Sequence, residues 1–299
     1  MTVNVRRYQV AVDGGELAVT RWGDADEVVL AAHGITASHL AWATVAETLA
    51  GEMSVIAPDL RGRGDSAQLP GPHGMARHAD DLAAVLDDAG ARRAVAVGHS
   101  MGGFVMAAFA TRYPERTRGL VLVDGGPALG EPLPDDVDID AVLAQVIGPA
   151  MARLEQRFDS VEEYRRFWLE HPALRDSDVD PELIAAYADH DLHGPDGELR
   201  SKVSADAVRA DARDSLVNDD VRSAVAALTV PTVLLLAERG MLNGATPLYP
   251  AESVSGLATA TGPLEVIRVP DTNHYTVCMG PGGAQAIAQQ VRRLAVEDS

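Results

Sequence analysis

The sequence of 299 residues contains a single cysteine, Cys278, so no internal disulfide can form, and this residue is expected to be a small buried hydrophobe. Lysine is equally scarce, since Lys202 is the only one, and the net charge at pH 7 is −19. The chain has no basic stripe, which argues against binding to nucleic acid or to an anionic membrane surface. No apolar run approaches the length of a membrane span, and residues 1–10 are too polar for a secretory signal, so a cytoplasmic protein is expected.

What is present suits one large α/β domain, or such a domain with an inserted module, because 299 residues and 46% apolar content allow a sizeable core. Short apolar runs alternate with helical spacing, and the turn Asp13-Gly14-Gly15 predicts a hairpin. Strands are predicted at 8–12, 16–22, 28–32, 54–57, 94–97, 119–123, 232–237 and 264–269. Helices are predicted at 40–49, 75–88, 143–154 and 284–296, with further helix starts at the capping box of Ser160 and at Asp180.

The middle of the chain has a different pattern. From about 125 to 225 no strand is indicated and helical spacing dominates, with a break expected at Pro149. Strand–helix alternation interrupted in this way predicts a mainly parallel sheet that carries a helical cap. The core is expected to comprise residues 1–124 and 226–299, and the cap residues 125–225, inserted after the sixth strand. Such a cap would cover the carboxyl ends of the strands, where open α/β sheets bind ligands.

The most informative stretch is the motif Gly98-His99-Ser100-Met101-Gly102, which follows an apolar β-branched run and precedes a helix-forming run at 104–112. A strand that turns sharply into a helix exposes the residue at the turn, and the flanking glycines give room for the crowded backbone. The helix N-terminus also favours negative charge close to the turn. The motif therefore predicts that Ser100 is a nucleophile.

A nucleophilic serine needs a base and donors for an oxyanion. His274 is the one histidine that follows the last predicted strand, and we expect it to be the base. The N–H groups of Ile35 and Met101 are the expected oxyanion donors, because a glycine turn after a central strand can aim backbone donors at the strand end. His33 is expected to fix this turn through hydrogen bonds, without a role in proton transfer.

With these motifs the chain resembles the α/β-hydrolases. The resemblance rests on His33-Gly34-Ile35-Thr36, the segment 58–66 (Pro-Asp-Leu-Arg-Gly-Arg-Gly-Asp-Ser), the motif around Ser100, the run 120–124 and Asn273-His274. It implies the α/β-hydrolase fold, which is a mostly parallel eight-stranded sheet flanked by helices, here with an inserted helical cap. It also implies a Ser-His-acid triad that needs no metal and no organic cofactor.

The resemblance leaves two candidates for the acid of this triad. Many members of the family place it a few residues after the strand that matches 232–237, often in a Gly-x-x-Asp pattern, but this chain has Gly240 at that position. Asp124 is preferred, because it ends a core strand before a flexible Gly-Gly turn that leaves room for His274. Glu238 is the alternative, and both carboxylates preserve the chain order serine, acid, histidine.

The resemblance implies acyl transfer, and we expect a serine hydrolase that cleaves an uncharged or mildly hydrophobic carboxylic ester or lactone. A carbon–carbon bond hydrolase, an amidase with the same triad, or a ligand receptor without turnover are the alternatives. Candidate substrate-binding residues are Trp42, Phe104, Met151, Leu154, Tyr164, Phe167 and Trp168, although packing between cap and core would explain the cap residues equally well. Nothing in the sequence indicates an oligomeric state.

Two polar clusters in the sequence are candidate metal sites. His171, His190, Asp191 and His193 match no zinc spacing and are expected to be solvated or capping residues. The acidic run 135–140 lacks the glycine and the final glutamate of an EF-hand loop, and is interpreted as an exposed linker. The sequence therefore predicts no metal.

Overall fold

The computed structural model describes residues 3–296, and an eight-stranded sheet lies at its centre. The strands are β1 (Val5–Val12), β2 (Gly15–Trp22), β3 (Val28–Ala32), β4 (Ser54–Pro58), β5 (Ala94–His99), β6 (Thr117–Val123), β7 (Leu192–His193), β8 (Arg200–Ser201), β9 (Thr232–Ala237), β10 (Ala258–Thr259), β11 (Gly262–Pro263) and β12 (Glu265–Val269). The helices are α1 (Ala43–Thr48), α2 (Met75–Asp88), α3 (Met101–Arg112), α4 (Ile139–Glu155), α5 (Val161–Leu169), α6 (Pro181–Asp191), α7 (Ala205–Val217), α8 (Asp219–Ser223), α9 (Ala251–Val254), α10 (Thr276–Met279) and α11 (Pro281–Val296).

The strand order in the sheet is β1-β2-β4-β3-β5-β6-β9-β12. The first hairpin pairs antiparallel with itself and with β4, and all the other neighbours are parallel. The inner parallel strands β3, β5, β6 and β9 are nearly continuous apolar runs because helices cover both of their faces, whereas the edge strand β12 contains Glu265 and Arg268. All five residues of β3 are buried, for example, whereas the edge strand β1 is largely exposed. This confirms the predicted mostly parallel, eight-stranded sheet.

Successive side chains of each strand point to opposite faces of the sheet, and this builds two apolar layers. In β3, Val29 and Ala31 join the cluster that α1 and α11 cover. Leu30 and Ala32 join the opposite cluster, which α2 and α3 cover. The sheet is therefore closed on both faces, and its carboxyl edge is the place where a site can open.

Between β6 and β9 the chain forms α4 to α8 and one two-residue ladder, β7–β8, which the sequence did not indicate. Helix α4 contains Pro149, and its backbone leaves the helical region at Ile147 (φ −131°, ψ 31°). A proline ring removes one hydrogen bond and clashes with the preceding turn, which explains the kink upstream of the ring. The division into a core of 1–124 and 226–299 and a cap of 125–225 stays a prediction.

Helix α5 begins close to the predicted capping box. Ser160 Oγ accepts a hydrogen bond from the N–H of Glu163 at 3.2 Å. Glu163 Oε2 accepts from the N–H of Asp159 at 2.7 Å, one residue before the position that a standard capping box uses. Both bonds satisfy donors at the helix start, so the sequence located this helix correctly. Among the described residues, no helix combines the length and apolarity that crossing a membrane requires.

The reactivity of Cys278, the sole cysteine, can test whether the apolar cluster around it is packed as described. Cys278 is 1% exposed, and burial raises the pKa of its thiol well above the ordinary value. Because only the thiolate attacks disulfide reagents, we expect no reaction with Ellman's reagent in native buffer near pH 8. Unfolding in guanidinium chloride should release one reactive thiol per chain. Rapid stoichiometric labelling of the native protein would contradict this placement.

Candidate active site

Ser100 lies at the sharp turn between β5 and α3. Its backbone has φ 55° and ψ −122°, a conformation that residues other than glycine rarely adopt and that the surrounding structure must enforce. Part of that enforcement is visible, because the Ser100 N–H donates to the carbonyl of Val123 at 3.0 Å. The turn holds Ser100 at the carboxyl edge of the sheet, directly before the N-terminus of α3.

The glycines of the motif permit this turn because three backbone segments approach one another closely. A Cβ on Gly98 would lie 2.1 Å from the carbonyl oxygen of Gly102. A Cβ on Gly102 would lie 2.1 Å from the carbonyl oxygen of Ala32. Neither position can accept a side chain without displacing backbone, and this is the physical reason for the spacing on each side of Ser100.

Asp124 and His274 are in direct contact. Asp124 Oδ2 lies 2.7 Å from His274 Nδ1, and both side chains are buried. Asp124 Oδ1 accepts a hydrogen bond from the N–H of Ala237 at 3.2 Å, which fixes the carboxylate. An ionised carboxylate can only accept, so Nδ1 carries the proton and Nε2 presents a lone pair. The arrangement gives the imidazole the tautomer of a general base.

Glu238 has a different place. Its Oε2 accepts a hydrogen bond from the N–H of Asp271 at 2.8 Å, and the residue is exposed. It therefore ties the end of β9 to the loop that leads from β12 to His274. Of the two candidate carboxylates, the structure brings Asp124 to the imidazole.

His99 is a residue that the sequence reasoning missed. Its Nε2–H donates to the carbonyl oxygen of His274 at 2.8 Å, and the two rings lie 4.6 Å apart. Burial lowers the pKa of His99 well below its ordinary value, so the ring is neutral. The side chain of His99 thus links the turn at Ser100 to the backbone of His274. The sequence showed a histidine inside the motif, but nothing in it indicated this distant acceptor.

The loop after β3 is fixed as expected. His33 Nε2 accepts from the N–H of Leu60 at 2.9 Å, and its Nδ1–H donates to the carbonyl of Gly34 at 2.8 Å. Burial lowers the pKa of His33 to about 3, so the ring stays neutral and holds the backbone of Leu60 and Gly34 in place through its two hydrogen bonds. Arg63 Nε donates to the carbonyl of Ile35 at 2.9 Å, which fixes the next peptide.

The two predicted oxyanion donors belong to residues that line one cavity with Ser100. Met101 is the first residue of α3, so its N–H has no acceptor within the helix. Gly34 brings the loop close, because a Cβ at that position would lie 3.3 Å from Ser100 Cβ. These positions are compatible with an oxyanion hole formed by Ile35 and Met101.

The cavity has a volume of about 170 Å³ and its lining is mostly apolar. Ser100 and Asp124 lie in its wall, and side chains of α4 and α7 close it from the other side. Ser215 and Arg222 add polar groups to that lining. Among the predicted substrate-binding residues, Phe104 lines this cavity.

The other predicted substrate-binding residues lie elsewhere in the described part of the chain. Trp42 and Tyr164 are fully buried in the core. Phe167 and Trp168 line a separate cleft of about 450 Å³ beside Tyr275. Met151 and Leu154 pack against the apolar cluster of α4 and α7.

The polar residues of the β6–β9 segment are less solvated than expected. Asp191 is 6% exposed and contacts the buried guanidinium of Arg153 and the hydroxyl of Tyr164, so the expectation that it is a solvated or capping residue is wrong. His190 Nε2 lies 2.7 Å from Asp59 Oδ2, which is also a specific contact. Within the acidic run, Asp138 caps α4 by accepting from the N–H of Ala141 at 3.1 Å.

A family model described as "alpha/beta hydrolase fold" matches residues 27–161, a range that includes Ser100 and Asp124. The crystal structure of E-2-(acetamidomethylene)succinate hydrolase has the same fold, with a TM-score of 0.78 at 21% identity over 97% of this chain and 99% of that one. The chain therefore has the α/β-hydrolase fold. The predicted fold is thereby confirmed.

Two proteins with similar sequences carry activity names. Lipase LipV of Mycobacterium tuberculosis is 34% identical over 174 residues, which are 57% of this chain and 63% of the lipase. 2-(Acetamidomethylene)succinate hydrolase of Mesorhizobium japonicum is 26% identical over 249 residues, 83% of this chain and 82% of that protein. The match therefore spans less than two thirds of the lipase.

The bond from His99 can be tested without reference to any reaction. In the native protein we expect a downfield proton NMR resonance from His274 Nδ1–H on Asp124. His99→Leu leaves the buried carbonyl of His274 without its donor, at a cost of about 1–3 kcal/mol. The loop should then loosen, and the resonance should broaden or disappear.

His99→Gln is the matched control, because its amide can donate from nearly the same position. We expect this variant to retain the resonance, and Asp124→Asn to remove it. An unchanged resonance in His99→Leu would show that His99 does not position His274.

Proposed function

We propose that this protein is a serine hydrolase of the α/β-hydrolase family and that it cleaves a carboxylic ester through an acyl-enzyme. Ser100 is the nucleophile, His274 the base and Asp124 the acid that orients the base. The observation that carries the proposal is the 2.7 Å contact between Asp124 Oδ2 and His274 Nδ1, with Ser100 and Asp124 in the wall of one cavity.

The steps follow from the chemistry of these groups. His274 Nε2 takes the proton of Ser100 Oγ as that oxygen attacks the ester carbonyl. The tetrahedral oxyanion accepts hydrogen bonds from the N–H groups of Ile35 and Met101. The ester C–O bond breaks, and the His274 imidazolium gives its proton to the leaving alcohol. Water then attacks the acyl-enzyme by the same route, which releases the acid and restores Ser100.

The cavity supports an uncharged substrate with an apolar acyl group. Its lining is mostly aliphatic and aromatic, and the net charge of −19 disfavours anions. The substrate named for the Mesorhizobium relative is a succinate derivative, which carries two carboxylates and fits such a lining less well. A lactone is an internal ester, and the same steps would open it. We propose further that residues 125–225 form a cap, because α4 and α7 contribute to this cavity.

Replacement of the nucleophile is the direct test. Ser100→Ala should reduce kcat/KM for p-nitrophenyl acetate, butyrate and octanoate by about 10⁴-fold or more, and should leave the unfolding midpoint nearly unchanged. Lactones and anilides assayed alongside would separate ester cleavage from the alternatives. Ser215→Ala is the matched control, since Ser215 lines the same cavity and donates only to the carbonyl of Ala212. Retained turnover in Ser100→Ala would refute the nucleophile, and a single slow acylation of the wild type would indicate a receptor.

The choice of acid has its own test. Asp124→Asn keeps the shape but lets the amide favour the wrong imidazole tautomer, and kcat should fall by about 10⁴-fold with little change in KM. Glu238→Gln should lower kcat less than about tenfold, because Glu238 contacts the loop backbone rather than the imidazole. The reverse order of effects in steady-state assays would assign the acid to Glu238.

A further inference from the structure

A second cluster of titratable side chains lies outside the Ser100 cavity. It comprises His39, which follows the loop after β3, Asp59, which follows β4, and His190, near the end of α6. His39 Nδ1 lies 2.8 Å from Asp59 Oδ1, and His190 Nε2 lies 2.7 Å from Asp59 Oδ2. The two rings are almost perpendicular, with centroids 4.5 Å apart. The proposed triad uses none of these groups.

The backbone holds the Asp59 carboxylate in place. Oδ1 also accepts from the N–H of His39 at 2.9 Å, and Oδ2 accepts from the N–H of Asp65 at 3.0 Å. A carboxylate offers about four lone-pair sites, so two remain, and both point at imidazole nitrogens.

We propose that His39 Nδ1, the Asp59 carboxylate and His190 Nε2 form a binding site for one divalent transition-metal ion of the zinc type. Two imidazoles and a carboxylate are a donor set that Zn²⁺ accepts, with water in the remaining position. Ligand atoms about 2.1 Å from a tetrahedral ion are about 3.4 Å apart. The N···O contacts of 2.8 and 2.7 Å therefore need to open by only about 0.6 to 0.7 Å to admit the ion.

Metal binding requires a free lone pair on one ring nitrogen of His39 and of His190. When the ligating nitrogen of each ring binds the ion, the other nitrogen of that ring carries the proton. On His190 that nitrogen is Nδ1, which lies 4.0 Å from Asp65 Oδ2. This distance is too long for a hydrogen bond, but it places a carboxylate near the nitrogen, and zinc-bound imidazoles commonly donate to such an outer carboxylate. On His39 it is Nε2, which is buried and has no partner among residues 3–296. That nitrogen has no existing bond to lose.

There is also room for the ion and its water. A cavity of about 210 Å³ adjoins the cluster and is lined by His39, Asp59 and Asp65. Lys202 Nζ donates to Asp65 Oδ1 at 2.7 Å and so fixes the outer carboxylate. The ion would join α6 to two core loops, one of which continues from the loop that holds Ile35. We therefore assign it a structural function rather than a catalytic one.

The first experiment uses tag-free full-length protein treated with EDTA and titrated with Co²⁺ and Zn²⁺. We expect one Co²⁺ per chain, with visible absorption bands of low-symmetry N/O coordination, and displacement of Co²⁺ by Zn²⁺. Saturating Zn²⁺ should raise Tm by a few degrees, because the ion binds only the folded state. Mg²⁺ and Ca²⁺ should do neither, since they prefer all-oxygen sites. Absence of a saturable Co²⁺ spectrum in the wild type would overturn the proposal.

Variants then locate the ion. His190→Gln and Asp59→Asn should each weaken Zn²⁺ binding by more than the roughly 10- to 100-fold that loss of an outer partner costs. His193→Gln is the matched control, because this histidine lies three residues beyond His190 and outside the cluster, and it should bind Zn²⁺ as the wild type does. The side chain of His190 is 13% exposed and glutamine is of similar size, so its variant is expected to fold, as circular dichroism would verify. Undiminished Zn²⁺ affinity in His190→Gln would refute the site.

Discussion

The contact between Asp124 and His274 joins two residues that are 150 positions apart in the sequence. It forms because parallel strands bring their carboxyl ends to one edge, so that the end of β6, the turn after β5 and the loop after β12 meet there. The rest of the proposed chemistry depends on this contact, since it sets the tautomer of the imidazole. His99 and Glu238 both act on the loop that carries His274, one from the side of Ser100 and one from the end of β9.

The inner strands of the sheet were predictable because they are apolar on both faces and end at turn residues, and the edge hairpin was predictable from its turn Asp13-Gly14-Gly15. The position of Ser100 was predictable for a related reason, since close backbone approach restricts the flanking positions to glycine. Helix α7 was not found from the sequence, because one of its buried positions is Asp211, which breaks the apolar period. That carboxylate is paired with Arg63 at 2.5 Å and His78 at 3.0 Å, contacts that no local pattern reveals.

Buried polar contacts also explain why the substrate-binding residues were the least predictable part of the site. Tyr164 is an aromatic residue of the kind that often lines a pocket, yet its hydroxyl contacts Asp191 within a buried polar cluster. Arg153 in the same group donates to the carbonyl of Thr36 at 3.2 Å and thereby links α4 to the loop after β3. Breaking the Arg153–Asp191 pair would leave an uncompensated buried charge, so the helices α4 and α6 are held together by a contact whose loss is costly.

The solitary, inaccessible thiol of Cys278 has a practical consequence. Any cysteine introduced on the surface would be the only one that a maleimide dye reaches in the folded molecule, with no native residue to remove beforehand. A pair of such dyes, one on α6 and one on the exposed edge strand β1, would report directly on the separation between these two parts during catalysis. The chain is thus already suited to single-molecule fluorescence.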